Sequence, residues 1–316
     1  MENIKPSLIV ITGPTASGKT AAAVAMCKKI GGEVVSADSM QIYRGMDIGT
    51  AKPSPEERCG IMHHMLDVLD PHEHATASQY GAMAKAAISD IYKRGSTPVV
   101  CGGTGLYIDA ITRPMRFSAP GDELLRDELN ALAAKPDGKA VLHGMLAECD
   151  PEAANKLHEN DVRRVVRAIE SYRLTGKTLS ELAAEDSGAE GDFREIIFAP
   201  EWPREVLYER INRRVDLMIK DGLIEEVRAL LRNGLSPDTT AMQAIGYKEI
   251  AYALAGRCEM SEAIESVKQA SRNYAKRQQT WLRRDGRVHF IDAQHKSADM
   301  LADEMLSICR KEGILG

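Results

Sequence analysis

The sequence predicts an α/β protein: a parallel sheet with helices on both faces, interrupted by a helical insertion and followed by a helical C-terminal region. Three observations point there. Short apolar, β-branched runs alternate with segments of helical spacing through the N-terminal third. The Gly-rich stretch GPTASGKT (13–20) stands between one such run and a helical segment. From about 115 to 195 the strand-like runs stop, and polar segments of helical character replace them.

Each element has its own signal. Leu8–Thr12 is a buried strand that stops at Gly13, and TAAAVAMCKKI (20–30) is a helix ended by Gly31-Gly32. EVVSA (33–37) is the next strand, stopping at Asp38. QYGAMAKAAISDIYKRG (79–95) places Tyr80, Met83, Ala87, Ile88 and Ile91 at helical spacing, with Ser78 as N-cap and Gly95 as stop. TPVVC (97–101) is a strand ending at Gly102-Gly103. The insertion closes on an acidic loop, AAEDSGAEGD (183–192), before EIIFAP (195–200) returns as a strand. Helices are expected at 204–220, 223–232, 241–256 and 261–283, with VHFID (288–292) as an edge strand. The chain thus reads as a first core part (1–114), an insertion (115–195) and a return to the core with basic C-terminal helices (196–316).

Composition narrows the class. With 316 residues and 44% apolar residues the chain can bury a sizeable core. Its longest apolar runs, such as Leu8–Ile11, are far too short to span a bilayer, and Gly13-Pro14 arrives too early for a signal peptide. Six scattered cysteines without a C-x-x-C pair argue against a disulfide framework or zinc site, and for a reducing, cytoplasmic setting. The net charge of −5 hides local patches: 268–287 carries seven basic residues against one acid, and 161–177 five against two. Phosphate backbones respond to such patches rather than to the total.

GPTASGKT fits G-x-x-x-x-G-K-[ST], the P-loop that cradles phosphates. Backbone N–H groups at a helix N-terminus attract anions, Lys19 adds a point charge, and the Thr20 hydroxyl can reach a phosphate-bound Mg²⁺. NTP hydrolysis is less well supported, because TPVVC ends in Gly-Gly-Thr rather than in an acid. Asp38 and Thr104 follow their own strands, and ligands of open parallel sheets bind beyond the carboxyl ends of the strands. A carboxylate and a hydroxyl are therefore expected to face the cradle. His63 and His64 are adjacent on a strand-like stretch and point to opposite faces, so they are read as surface or core histidines, with His72 and His74, rather than as a metal site. The segment 271–287 interleaves basic residues with Tyr274 and Trp281, as a polyanion-binding face does.

The blocks GPTASGKT, SADSMQIYRGMDIGTAKP, CGGTGLYIDA, NDVRRVVRAIE, AIGYKE and YAKRQQTWLRR together resemble the tRNA dimethylallyltransferases, from the first strand to about Arg284. No C2H2 extension follows, which resembles the bacterial form. Two positions depart from the family pattern: Met62 and Glu159 stand where it commonly has Pro. The resemblance implies a P-loop sheet core with a helical insertion and a channel that donor and flipped adenine enter from opposite ends. It also implies transfer of a dimethylallyl group from dimethylallyl diphosphate to N6 of adenosine 37, in the anticodon stem-loop of tRNA, by a monomer using Mg²⁺. By the same resemblance Gly13, Pro14, Thr15, Ala16, Ser17, Gly18, Lys19 and Thr20 hold the diphosphate, and Thr20 also the metal. Asp38 meets the adenine amine, Thr104 lines the channel, and an arginine, Arg214 in preference to Arg210, meets the diphosphate. Contacts to tRNA are implied for Asp38, Ser39, Met40, Gln41, Thr104 and Arg126. They are implied also for Arg163, Arg164, Arg167, Gln243, Gly246, Tyr247 and Lys248, and for Lys276, Arg277, Gln278, Thr280, Trp281 and Arg283.

Three other readings compete. A small-molecule P-loop kinase would use 13–20 and Asp38 but leave the basic segment idle. A prenyltransferase acting on free AMP would find that segment superfluous. A non-catalytic RNA-binding protein would not need Asp38 beside an intact phosphate loop.

Overall fold

Alternation along the strands decides the architecture, because neighbouring residues of a strand face opposite sides. Leu8, Val10, Val35, Val100 and Ile197 point into one buried cluster, while Ile9, Ile11, Val34, Val99, Ile196 and Phe198 point into another. A sheet that is apolar on both faces has to be covered on both. In the computed structural model, which describes residues 5–115, 121–187 and 190–315, helices do this.

The chain runs β1 (Ser7–Ile11), α1 (Lys19–Ile30), β2 (Gly32–Ser36), α2 (Pro55–Arg58), β3 (His63–His64), α3 (Ala77–Lys93), β4 (Thr97–Cys101) and α4 (Gly105–Thr112). After the insertion come β5 (Arg194–Glu201) and, further on, β6 (Val288–Asp292). The sheet order is β3-β2-β4-β1-β5-β6, and each pairing is parallel. Helix α1 packs on the Ile9/Ile11 face, where Ala22, Ala23 and Met26 are buried. Helices α3 and α4 cover the Leu8/Val10 face through Tyr80, Ala84, Ile88, Ile108 and Ile111. The expected fold class is therefore observed, with VHFID at the sheet edge.

Several boundaries differ. Thr76, not Ser78, caps α3: its hydroxyl accepts the Gln79 N–H while the Gln79 side chain accepts the Thr76 N–H, a reciprocal capping box. The continuous helix expected over 241–256 is broken into a 3₁₀ turn (Ala241–Gln243) and a separate helix, because Ala244–Gly246 leave helical geometry and Gly246 sits at φ +97°. Helix α4 and a C-terminal helix (Ala298–Lys311) had no expectation; the first is too uniformly apolar to show a helical period. β3 is two residues long, below what pattern reading can detect.

One compact unit comprises residues up to 112 and from 192 onward, the other 113–191. The second unit holds α5 (Glu123–Ala133), α6 (Gly138–Cys149), α7 (Pro151–Lys156), α8 (Val162–Thr175) and α9 (Leu179–Ser187), around Leu129, Leu142, Leu146, Val165 and Ile169. The acidic loop read at 183–192 begins inside α9, and its residues 188 and 189 lie outside the described residues. In the first unit the chain continues with α10 (Arg204–Lys220), α11 (Leu223–Arg232), α12 (Tyr247–Leu254), α13 (Met260–Arg284) and α14 (Ala298–Lys311).

Candidate active site

The strand order assembles the site. β4 lies between β2 and β1, so the turn after β4 separates Asp38 from the phosphate loop. Backbone hydrogen bonds lace the three strand ends together: Gly102 N–H to Ile11 C=O at 3.2 Å, Ala37 N–H to Cys101 C=O at 2.8 Å, and Thr104 N–H to Ala37 C=O at 3.1 Å.

The phosphate loop is a tight turn on glycine and left-handed geometry. Gly13 has φ +143°, and a Cβ there would stand 2.8 Å from Ser17 Oγ. Ala16 and Gly18 also have positive φ, and the turn closes on itself where the Ser17 N–H donates to the Pro14 carbonyl at 3.3 Å. Ser17 Oγ is buried without a hydrogen-bond partner. Such an orphan, in a loop of this shape, suits an oxygen-rich anion. Lys19 extends along the loop, its Nζ 3.3 Å from the Pro14 carbonyl. Burial lowers the Lys19 pKa; nearby Arg214 adds to the lowering, and Cys101 and Asp38 oppose it.

Helix α10 supports the loop from outside. Arg210 donates through Nε to the Ala16 carbonyl at 2.9 Å, Trp202 donates to the Ser17 carbonyl at 2.8 Å, and the guanidinium lies 4.2 Å from the Trp202 ring centre. Arg210 is thus committed to holding the loop. Arg214, one turn on, has its pKa lowered by burial against the pull of Glu57 and Asp38. It lines a cleft of about 680 Å³ with Glu57, Arg58 and Leu217. Of the two arginines, Arg214 is the one free of the loop backbone.

Asp38 caps its own turn. Oδ1 accepts N–H groups of Met40 (2.9 Å) and Gln41 (3.4 Å), and Oδ2 has no hydrogen-bond partner among the described residues. Its charge opposes the burial-driven lowering at Lys19 and Arg214 and adds to the burial-driven rise at Cys101, Tyr80, Tyr107 and Tyr274, so the carboxylate acts on all six. Thr104 Oγ1 accepts the Ser39 N–H at 3.1 Å. Burial pushes the Tyr274 pKa up to about 12, with Asp38 adding to the rise and the Thr104 and Gln278 side chains opposing it.

Several other expected contact residues turn inward, whereas Gln243 stays exposed. Gln41 accepts from Ser36 Oγ at 3.1 Å and donates to the carbonyls of Thr50 (3.2 Å) and Ala51 (3.1 Å). Tyr247 is 0% exposed and donates its hydroxyl to Glu226 Oε1 at 2.5 Å, so its ring is core rather than contact surface. Gln278 is 7% exposed. Gln243 donates to the Pro237 carbonyl, and Gly246 N–H to Glu249. In the second unit Arg126 and Arg167 both pair with Glu170, itself 0% exposed, at 2.8 and 2.6 Å, while Arg163 and Arg164 on α8 are exposed.

The basic segment is smaller than its count. Lys268 is held by Asp216 and Glu265, Arg272 by Asn212 and Gln269, and Arg287 by Asp285, Glu195 and Asp109. What remains is an exposed stripe on α13: Lys276, Arg277, Thr280, Arg283 and Arg284, of which Arg283 also lies 3.7 Å from Glu201. Spacings of one, four, seven and eight residues put these on one helix face. Trp281, half-buried, packs over Gly105.

The histidines do not converge. His63 Nδ1 meets the Ile61 carbonyl, His64 Nε2 meets Glu33, His72 meets Asp70 and His74 meets Thr240. Among the described residues no three His, Cys, Asp or Glu side chains form a metal-binding group.

Sequence reading missed Glu226. Its carboxylate accepts the N–H groups of Asp47 (3.0 Å), Ile48 (2.9 Å) and Gly49 (3.1 Å), besides the Tyr247 hydroxyl. It anchors the loop whose carbonyls hold Gln41. Nothing near Glu226 in sequence marks it, since three of its partners are backbone N–H groups 177–179 residues away and the fourth, the Tyr247 hydroxyl, is 21 residues away. Glu226→Gln, which keeps one acceptor and loses the charge, should lower stability by about 2 kcal/mol in urea unfolding. An unchanged midpoint would show that the loop holds itself.

A glycine-rich loop, a carboxylate at the next strand end and a cationic helix on a parallel sheet are the site of a group-transfer enzyme. The IPP transferase family model matches residues 41–285. A tRNA dimethylallyltransferase of Geobacter sulfurreducens is 46% identical over 288 residues, covering 91% of this chain and 92% of that protein. One of Geobacillus thermodenitrificans is 49% identical over 291 residues, 90% of each. Among solved structures, a tRNA isopentenylpyrophosphate transferase of Staphylococcus epidermidis superposes with TM-score 0.73 at 41% identity, covering 98% of this chain and all of that one. A eukaryotic dimethylallyltransferase acting on tRNA superposes with TM-score 0.84 at 30% identity, covering 98% and 79%. The chain belongs to the IPP transferase family.

No helix among the described residues is long and apolar enough to cross a membrane.

Proposed function

We propose that the protein transfers the dimethylallyl group of dimethylallyl diphosphate to N6 of adenosine 37 in tRNA, releasing diphosphate. Family membership supports the reaction class. The observation that carries the residue roles is the meeting of the phosphate loop, Asp38 and Thr104 at three adjacent strand ends. A cytoplasmic setting suits that substrate pair, and the six free cysteines agree with a reducing compartment. We take it to act as a monomer.

The chemistry assigns each group a task. An aromatic amine is a weak nucleophile because its lone pair is shared with the ring, and it gains positive charge as it attacks carbon. Oδ2 of Asp38, the oxygen not used in its own turn, can accept the amine N–H and then its proton. Thr104 fixes the Ser39 backbone beside it. Diphosphate leaves with growing negative charge, which the loop N–H groups, Lys19 and Arg214 meet. The hard oxygens of Thr20 and of the diphosphate itself suit Mg²⁺, which when bound would share that charge. The target base has to leave its stack to reach Asp38. Incubation with dimethylallyl diphosphate and bulk unmodified tRNA should yield N6-dimethylallyladenosine on nucleoside mass analysis. Phosphoryl transfer from ATP without such a product would favour a kinase instead.

The α13 stripe is the proposed grip on the anticodon stem-loop, with Arg163 and Arg164 of the insertion as a second one. Replacing Lys276 and Arg277 by Gln should weaken tRNA binding and lower the slope of log K against log salt by about 1–2, because fewer counterions are released. An unchanged slope would remove this helix face from the interface.

A further inference from the structure

Gln278 sits in the stretch that resembles a nucleic-acid grip, yet its amide faces the phosphate loop. Oε1 accepts the Thr15 N–H at 3.0 Å, and Nε2 donates to the Gly103 carbonyl at 2.8 Å. A primary amide carries a donor and an acceptor at one end, so it can satisfy an N–H and a C=O together. Thr15 belongs to the loop after β1. Gly103 belongs to the turn after β4, and its neighbour Thr104 holds Ser39 in the turn after β2. One side chain thus ties the loops of two strands directly and, through Thr104, reaches the turn of a third. The fit is close: a Cβ on Gly103 would stand 2.2 Å from Nε2. The same helix turns Lys276, Arg277 and Thr280 to solvent.

We propose that Gln278 is a positioning residue rather than a tRNA contact: it holds the diphosphate cradle and the Thr104 turn in register, and joins both to the cationic helix. The proposal rests on the reading of 13–20 as a diphosphate cradle. A cradle with Thr15 fixed in advance loses little freedom when the anion arrives; one without that bond has to be ordered by the ligand.

Two variants of the full-length chain approach the same bond from opposite sides. Gln278→Met keeps the volume and removes both hydrogen bonds. Gly103→Ala leaves Gln278 in the sequence and displaces its flexible end, its methyl also pressing on the Gly13 carbonyl at 3.1 Å, so Gln278→Met decides where the two disagree. Affinity for inorganic pyrophosphate with Mg²⁺ is measured by calorimetry, tRNA affinity by filter binding, and folding by the thermal midpoint. Both variants should bind pyrophosphate about tenfold more weakly, the scale of a buried N–H left unpaired. Donor KM should rise and kcat fall, with tRNA affinity within about twofold of wild type. Gln278→Glu keeps the acceptor but sets a carboxylate against the Gly103 carbonyl, and should be no better than Gln278→Met. Loss of tRNA affinity with unchanged pyrophosphate binding would overturn the proposal in favour of a direct contact. Parallel loss of every parameter with the thermal midpoint would reduce Gln278 to a packing residue. A wild-type chain that binds pyrophosphate but prenylates no tRNA would sink the transferase reading and leave the pyrophosphate comparison valid; one that does not bind pyrophosphate would sink both.

Discussion

Asp38→Asn should slow the prenylation step by roughly 10²–10⁴ while leaving both substrates bound within a few-fold. Asparagine preserves the size and the oxygen that accepts the Met40 and Gln41 N–H groups, so the turn survives. It removes the negative charge beside the attacking amine and the ability to take its proton. The loss therefore falls on the transition state rather than on binding. Single-turnover prenylation at saturating tRNA isolates that step. A rate within about threefold of wild type, ~0.7 kcal/mol of barrier, would leave Asp38 only a turn cap.

Lys19→Ala should lower kcat/KM for the prenyl donor by roughly 10²–10³, with tRNA affinity little changed. Lys19 meets charge in both the bound diphosphate and the departing one, so KM rises and kcat falls together. Its environment adds a pH signature. Burial lowers the Lys19 pKa below its usual 10.5. Attraction to diphosphate needs the ammonium, so it is present in full below that pKa and is lost as pH rises through it. Pyrophosphate affinity should accordingly decline with rising alkaline pH, starting below 10.5, in the wild type. The Ala variant should lack that limb. A Lys19→Ala enzyme with a tRNA defect alone would contradict the assignment.

Much of the fold was legible because each central strand announces itself. LIVI, EVV and PVV are short, β-branched and bounded by Gly, Asp or Thr, and those boundaries form the candidate site. The phosphate loop was legible because its chemistry is local: eight consecutive residues supply the turn, the dipole and the lysine. Features built from distant partners were not legible. Tyr247 and Gln278 look like surface residues in a polar helix, and only the fold shows that one meets Glu226 and the other Thr15. The basic segment was over-read for the same reason, since Lys268 and Arg287 find their acids on other elements as well as nearby. Met62, where the family commonly has Pro, gives its carbonyl to Val34 N–H at 2.9 Å, and this edge pairing does not depend on which residue supplies the carbonyl.

The bond between Thr15 and Gln278 also sets a clock. Its two ends are 263 residues apart in the chain. At a synthesis rate of about 5–20 residues per second, the loop waits about 13–53 s for the helix that completes it. Throughout that interval the Thr15 N–H has only water or a stray anion as partner. A nascent chain arrested before α13 emerges would carry the whole phosphate motif, strand and helix included, and still lack a formed cradle. Pyrophosphate protection of a stalled-chain series against protease should therefore appear as a step when residue 278 clears the ribosome, and not when residue 20 does.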